Sequence, residues 1–160
     1  MVAAMISTGE RPTILIVPGS FSPPPLYASI VDHLNLHGYE AIVVNYPSIG
    51  RRDPLPPATM ADDAAYTSAV VEKLADAGKS IVMVTHSYGG IVGTESTKDL
   101  AKTEREAVGK AGGIVRLLYI TSLVPRVGES LQTLMGTEVA SFLRIEVSTA
   151  ENATALELGY

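Results

Sequence analysis

Four short apolar blocks punctuate the chain: Thr13 to Val17, Ala41 to Asn45, Ile81 to Thr85 and Ile114 to Ser122. They are brief, rich in Ile and Val, and do not alternate strictly with polar residues, which is the pattern of strands buried on both faces of a parallel sheet. Helical patterns lie between them. Leu26, Ile30, Val31 and Leu34 fall on one helical face, and Gly38 is placed to close that helix in a left-handed turn. Thr59 is set to N-cap a second helix, with Asp62 and Asp63 in its first turn at the positive end of the dipole. Met60, Ala64, Tyr66, Val70, Val71 and Leu74 give that helix its apolar surface, and Gly78 ends it. A third helix is expected just after Ser87; the polar stretch KDLAKTEREAVGKAGG then either continues it or loops out before the fourth strand. Strands alternating with helices predict an α/β fold, a three-layer sandwich on a mainly parallel sheet with right-handed crossovers. Further on, Leu143, Ile145 and Val147 alternate as in a strand, and AENATALELGY reads as a short helix or a frayed tail.

Composition narrows the picture. A chain of 160 residues, 46% hydrophobic and 18% charged, fits one domain, with core elements over about residues 12–125 and the start of a cap or tail over 126–160. A net charge of -5 gives no electrostatic reason to approach nucleic acid or anionic lipid, and the Arg51-Arg52 pair is too short to change that. There is no cysteine, so disulfides and thiolate metal sites are excluded. The opening MVAAMISTGERP has neither the charged leader nor the apolar length of a signal peptide, and no later run approaches the ~18 apolar residues of a membrane span. A soluble, cytoplasmic protein is the expectation. The proline-rich SPPPLY and RRDPLPPAT sit where a strand hands over to a helix, and read as rigid loops lining a crevice.

The chemistry concentrates at VMVTHSYGG, Val82 to Gly90, where an apolar strand runs directly into a serine and two glycines. In a strand-to-helix turn of the GxSxG type, the backbone bends so sharply that small residues are needed two positions either side of the serine, whose hydroxyl is lifted above the sheet edge. Gly89 meets that need; Thr85, with its branched Cβ, fits it less well. Such a turn leaves the Tyr88 N–H free at the start of a helix, aimed where an oxyanion would develop. A second donor would come from the loop after the first strand, VPGSF, where Gly19 allows a sharp turn and the N–H of Ser20, or else Phe21, faces the same point. Gly19, Phe21 and Tyr27 are candidates to line the substrate pocket, with simple loop packing an equal alternative for Phe21 and Tyr27.

In order, ILIVPGSF, GYEAIVVNYPSIG, MADDAAYTSAVVEKLADAGKSIVMVTHSYGG and GIVRLLYITSLVPRVGESL resemble the α/β-hydrolase superfamily, particularly its small esterase and hydroxynitrile-lyase-like branch, over roughly Pro12 to Leu134. The resemblance implies an α/β-hydrolase core, here incomplete, with Ser87 in the nucleophile position and the Ser20 and Tyr88 amides as oxyanion donors. It also implies a small ester or related carbonyl substrate and no cofactor. One departure is large. The superfamily orders its triad Ser, acid, His, yet the three histidines here are His33, His37 and His86, and none follows Ser87. An unassisted serine hydroxyl is a poor nucleophile at neutral pH, so the chain alone is expected to be nearly inactive.

Plainer roles fit the other candidates. His86 adjoins Ser87, but neighbours in a tight turn point apart, so it reads as structural. His33 and His37 stand at i and i+4 with no third ligand, which favours a solvated pair over a metal site. Asp62 and Asp63 read as helix-terminal charges, and Glu129 as a loop or cap anchor. Two non-catalytic alternatives stand beside the hydrolase: a binding module that keeps only the pocket, and an interaction fragment that self-associates or pairs through an exposed sheet edge. A nucleotide-binding fold is rejected, because PGSFSPPPLY has no glycine-rich phosphate cradle.

Overall fold

The computed structural model describes residues 11–50 and 52–135. Strands β1 (Thr13–Val17), β2 (Ala41–Val43), β3 (Ser80–His86) and β4 (Gly113–Ile120) form one parallel sheet in the order β2-β1-β3-β4. In register, Leu15 lies between Ile42 and Met83, and Val17 pairs with Thr85. The chain steps outward from β1 to β2, then crosses back to β3 on the other side. The strand order therefore reverses between β1 and β3, and the carboxyl ends of these two strands mark the switch point at which α/β folds place their ligands. Gly19 follows the first and Ser87 the second. Strand β2 ends at Val43, two residues short of the expected block, although the Val44 N–H still reaches Ile16 O at 2.9 Å.

Helices α1 (Ala28–Leu36), α2 (Met60–Asp76), α3 (Gly89–Glu95) and α4 (Lys102–Ala107) fill the connections. The core forms where α2 and α3 cover the sheet: Leu15, Val17, Ile81 and Met83 meet Ala64, Val71, Ala75 and Val92, with Leu100 beside them. Thr59 and Asp62 close a reciprocal capping box at the start of α2, and hydrogen bonds from the Thr59 backbone and side chain hold the Asp62 carboxyl below the usual carboxylate range. Helices α1 and α2 both end in a left-handed glycine, Gly38 and Gly78. In each turn the following residue donates back across it, Tyr39 to Leu34 O and Lys79 to Leu74 O. The polar stretch after α3 breaks and restarts as α4, whose buried Arg105 bonds Asp76 at 2.6 Å and so fastens α4 to the end of α2.

Three apolar expectations change. On α2 the buried stripe is Asp63, Ala64, Thr67, Val71 and Ala75, while Met60 and Tyr66 are exposed. Leu26 belongs to a 3-10 turn (Pro24–Tyr27) ahead of α1, and both it and Ile30 are exposed, so α1 rests on the sheet through half-buried Val31 and Leu34. Strand β4 is not buried on both faces: Val115, Leu118, Tyr119 and Ile120 are exposed, and among the described strands it pairs with β3 alone. A separate unit begins at Val127; its described part holds α5 (Leu131–Met135), capped by Ser130 and Thr133, which exchange side-chain to backbone hydrogen bonds. Leu143, Ile145, Val147 and the AENATALELGY segment lie outside the described residues.

Truncating a fully buried core residue removes its transfer energy and leaves a cavity, so Leu15→Ala and Met83→Ala are each expected to cost about 2–5 kcal/mol in urea unfolding. Leu118→Ala on the open strand should cost less than about 1 kcal/mol. Equal losses at Leu15 and Leu118 would contradict an uncovered β4.

Candidate active site at the β3 to α3 turn

Strand β3 and helix α3 meet at Ser87, which adopts a left-handed backbone with φ of +52° and is half-buried. For a residue with a side chain that conformation costs roughly 1–2 kcal/mol, so its surroundings must enforce it. They do so from both sides. A Cβ on Gly89 would lie 2.2 Å from Val17 O, and one on Gly90 would lie 2.0 Å from Leu123 O. Each glycine of the pair thus admits a different neighbouring backbone, one leaving β1 and one leaving β4. The Ser87 carbonyl accepts from Gly90 N, Leu123 N and Ser122 Oγ at 3.0 to 3.1 Å, which locks the bend.

Thr85, the branched residue beneath the turn, is accommodated by a third glycine. Its Cγ2 would come within 2.5 Å of a Cβ at Gly93, one turn into α3. Its hydroxyl is within 3.1 Å of Ser122 Oγ and 3.2 Å of Leu118 O, so a chain of hydroxyls runs from Thr85 through Ser122 to the Ser87 carbonyl.

The loop after β1 runs alongside. A Cβ on Gly19 would stand 3.3 Å from Ser87 Cβ and 3.2 Å from His86 Nδ1. The Gly19 N–H donates to Tyr27 Oη at 3.0 Å, and the Tyr27 hydroxyl lies 2.9 Å from His86 Nδ1. The Tyr27 hydroxyl thus joins the Gly19 N–H to His86 Nδ1. His86 and Tyr27 thereby tether this loop to the end of β3. Ser20 and Phe21 follow, both exposed, with Phe21 at φ of +56°. Among the described residues the N–H groups of Ser20, Phe21 and Tyr88 have no acceptor.

Beneath Tyr88 lies a buried polar cluster. Tyr46 donates to Pro18 O at 3.0 Å and packs edge-on against Tyr88, with ring centroids 6.0 Å apart. Tyr88 donates to Asp63 Oδ2 at 3.0 Å. Burial first, then the Asp63 charge and this hydrogen bond, push the Tyr88 phenol above its ordinary pKa; burial does the same to Tyr46, reinforced by Tyr88, Asp63 and Tyr27. Asp63 is fully buried, unlike its capping neighbour Asp62. The sequence reading gave both acids the same role. The distinguishing signal is spacing: Asp63, Thr67, Val71 and Ala75 recur every fourth residue on the buried stripe. Ser122 was also missed, and no periodicity marks it.

His33 and His37 are exposed on and just beyond α1, with ring centroids 4.4 Å apart and His37 Nδ1 bonded to His33 O. Glu129 falls in the unit that begins at Val127. Among the described residues no group of three or more His, Cys, Asp or Glu side chains is placed to hold a metal, and no helix is long and apolar enough to cross a membrane.

A sheet ordered 2-1-3-4 with a strained serine at the switch point defines the class, and the comparisons agree. The model of the alpha/beta hydrolase family matches residues 14–156. This chain belongs to that family. It is 40% identical over 126 residues to "Probable hydrolase R7" of Phoma sp., and 36% identical over 121 residues to "Alpha/beta hydrolase nvfD" of Aspergillus novofumigatus, alignments that cover 79% and 76% of this chain. They cover 48% and 47% of those proteins, so the chain spans about half the length of the curated relatives it matches. Among solved structures it resembles tomato methylketone synthase I complexed with 2-tridecanone (TM-score 0.61, 16% identity, 79% of this chain and 45% of that one). It also resembles polyneuridine aldehyde esterase (TM-score 0.59, 16% identity, 79% and 45%). At these identities the structural likeness is one of fold.

The contact between Thr85 and Gly93 can be tested as a pair. Gly93→Ala should destabilise by roughly 1–3 kcal/mol through overpacking, whereas adding Thr85→Ser, which removes Cγ2 and keeps the hydroxyl, should recover most of that loss. Additive losses in the double variant would show that the two side chains do not meet.

Proposed function

We propose that the chain carries the nucleophile and oxyanion half of a serine-dependent, esterase-type hydrolase for a small ester or related carbonyl compound. Ser87 Oγ attacks the carbonyl carbon and loses its proton to a base; the resulting oxyanion is met by the N–H groups of Tyr88 and Ser20, with Phe21 as the alternate donor. Collapse of that intermediate expels the alcohol and leaves an acyl group on Ser87, which water then removes. Gly19, Phe21 and Tyr27 border the space the substrate enters. The observation that carries the reading is Ser87 at φ of +52° between β3 and α3, beside amides that have no acceptor among the described residues. An aligned helix start with unpaired donors favours developing negative charge. The family membership and the ligand and esterase names of the structural neighbours are in keeping with a small carbonyl substrate.

Proton acceptance is the weak step. No histidine follows Ser87 in the 160 residues, and among the described residues adjacent His86 makes no hydrogen bond to Ser87 Oγ. Without a base the serine retains only the catalysis that binding and oxyanion donors supply. The chain alone is therefore nearly inactive. Added imidazole supplies the missing acceptor, and should accelerate fluorophosphonate labelling of Ser87 by about tenfold or more. Ser87→Ala should abolish that increment. Brisk labelling without imidazole refutes the inactivity, and an increment that survives in Ser87→Ala refutes the nucleophile; tight ligand binding without either reaction would favour the binding-module reading.

A second reading rests on β4. Beyond Ile114, whose N–H is taken by Leu100 O, its outer edge has no partner among the described strands, and Val115, Leu118, Tyr119 and Ile120 are exposed, so two copies can extend the sheet edge to edge. Sedimentation should then show concentration-dependent association that Leu118→Lys weakens. A monomer at every concentration rules this reading out.

A further inference from the structure

Asp63 is unlike every other acid in the described structure. Its side chain is wholly buried, and three donors converge on its two oxygens: Ser48 N to Oδ1 at 3.0 Å, Ser48 Oγ to Oδ2 at 2.6 Å, and Tyr88 Oη to Oδ2 at 3.0 Å. No basic side chain contacts it in the described structure. It stands instead in the first turn of α2, at the positive end of the helix dipole. Its partners come from two separate places, the loop after β2 and the residue that follows the candidate nucleophile. A buried carboxylate with these partners is costly to assemble and accepts only from donors placed around it, so it specifies geometry more than it adds stability.

We infer that Asp63 is a positioning residue for the elbow: held by Ser48, it fixes the Tyr88 phenol and, through the Tyr88 side chain, the orientation of the Tyr88 peptide N–H at the start of α3. The consequence for oxyanion binding rests on the function proposed above; the brace itself does not. Tyr88 is gripped at both ends, since its ring abuts Tyr46, which is bonded to Pro18 O at the root of the other oxyanion loop. Asp63 thus holds Tyr88 directly and is linked to the segment after β1 only through the Tyr88–Tyr46 ring contact.

Asp63→Asn preserves shape but leaves one oxygen for three donors and turns the other position into a donor, so the arrangement cannot be kept. In the 160-residue protein labelled with tyrosine carrying carbon-13 at Cζ, the Tyr88 resonance is the one lost in Tyr88→Phe. Asp63→Asn should move that resonance toward those of exposed tyrosines and raise amide exchange at Gly90 and Ile91, the first bonded amides of α3, by roughly tenfold or more. Val71→Ala, a core truncation in the same helix, should lower stability without moving the resonance. If Asp63→Asn leaves either the resonance or the exchange unchanged, the inference is wrong, whatever Ser87 does. With the brace established, imidazole-assisted labelling of Ser87 should fall about tenfold or more in Asp63→Asn. Undiminished labelling overturns the link to the oxyanion site, whereas no labelling even of the unsubstituted protein overturns the proposed function and leaves the brace standing.

Discussion

The close approach of three backbones around the first turn of α3 governs this structure. The segment leaving β1 passes within 2.2 Å of where a Cβ on Gly89 would be, and the segment leaving β4 within 2.0 Å of one on Gly90. No side chain fits either gap, so the two glycines are a steric necessity. Because β1 and β4 flank β3, the helix can leave β3 only by wedging its start between the two neighbouring strand ends, and that wedge forces Ser87 into a left-handed backbone. The close approaches at Gly89 and Gly90 and the three hydrogen bonds on the Ser87 carbonyl keep that strained backbone from relaxing.

Rigid placement of the amides follows from the same wedge. Gly19 lies against both His86 and Ser87, and the Tyr27 hydroxyl bridges Gly19 N–H to His86. Among the described residues His86 makes no hydrogen bond to Ser87 Oγ; its Nδ1 meets the Tyr27 hydroxyl and so holds the loop that flanks the serine. A histidine beside a serine is easily mistaken for its base, and only the geometry separates the two roles. Under the function proposed above, such tethering would spare the donors reorganisation as charge develops.

Much of this was legible in the sequence and some could not be. The strand blocks, the capping Thr59 and the closing Gly38 and Gly78 are local signals, and each survives in the fold. The Ser-Tyr-Gly-Gly run is also local, so the sharp turn could be anticipated. What failed depends on neighbours. Hydrophobicity alone marked β4 as a strand buried on both faces, but burial needs a covering layer, and its Val115, Leu118 and Ile120 are exposed. Periodicity placed Leu26 and Ile30 on a buried face, but the prolines before Tyr27 wind Leu26 into a 3-10 turn, and Ile30, though in α1, is exposed as well. Thr85 looked like a misfit because its accommodation lies at Gly93, eight residues on and a helical turn into α3. Asp63 and Asp62 are indistinguishable by charge and proximity; one caps in the open and the other is buried, a difference set by which side of α2 meets the sheet.

The polar residues beneath the elbow sharpen that last point. Thr85, Asp63 and Tyr46 occupy buried positions where apolar side chains of similar volume would pack without needing partners. Burying a hydroxyl or a carboxylate is unfavourable unless every donor and acceptor is matched, and here each one is. Apolar packing is nearly indifferent to small rotations, whereas a hydrogen bond weakens steeply with angle. A layer of matched hydrogen bonds under Ser87 and Tyr88 therefore confines the turn to a narrower set of orientations than a greasy core of equal stability would. The fold is held together on the Val71 and Met83 side by burial, and aimed on the Ser87 side by directional bonds. On α2 those two tasks fall to Val71 and Asp63, a little over two helical turns apart.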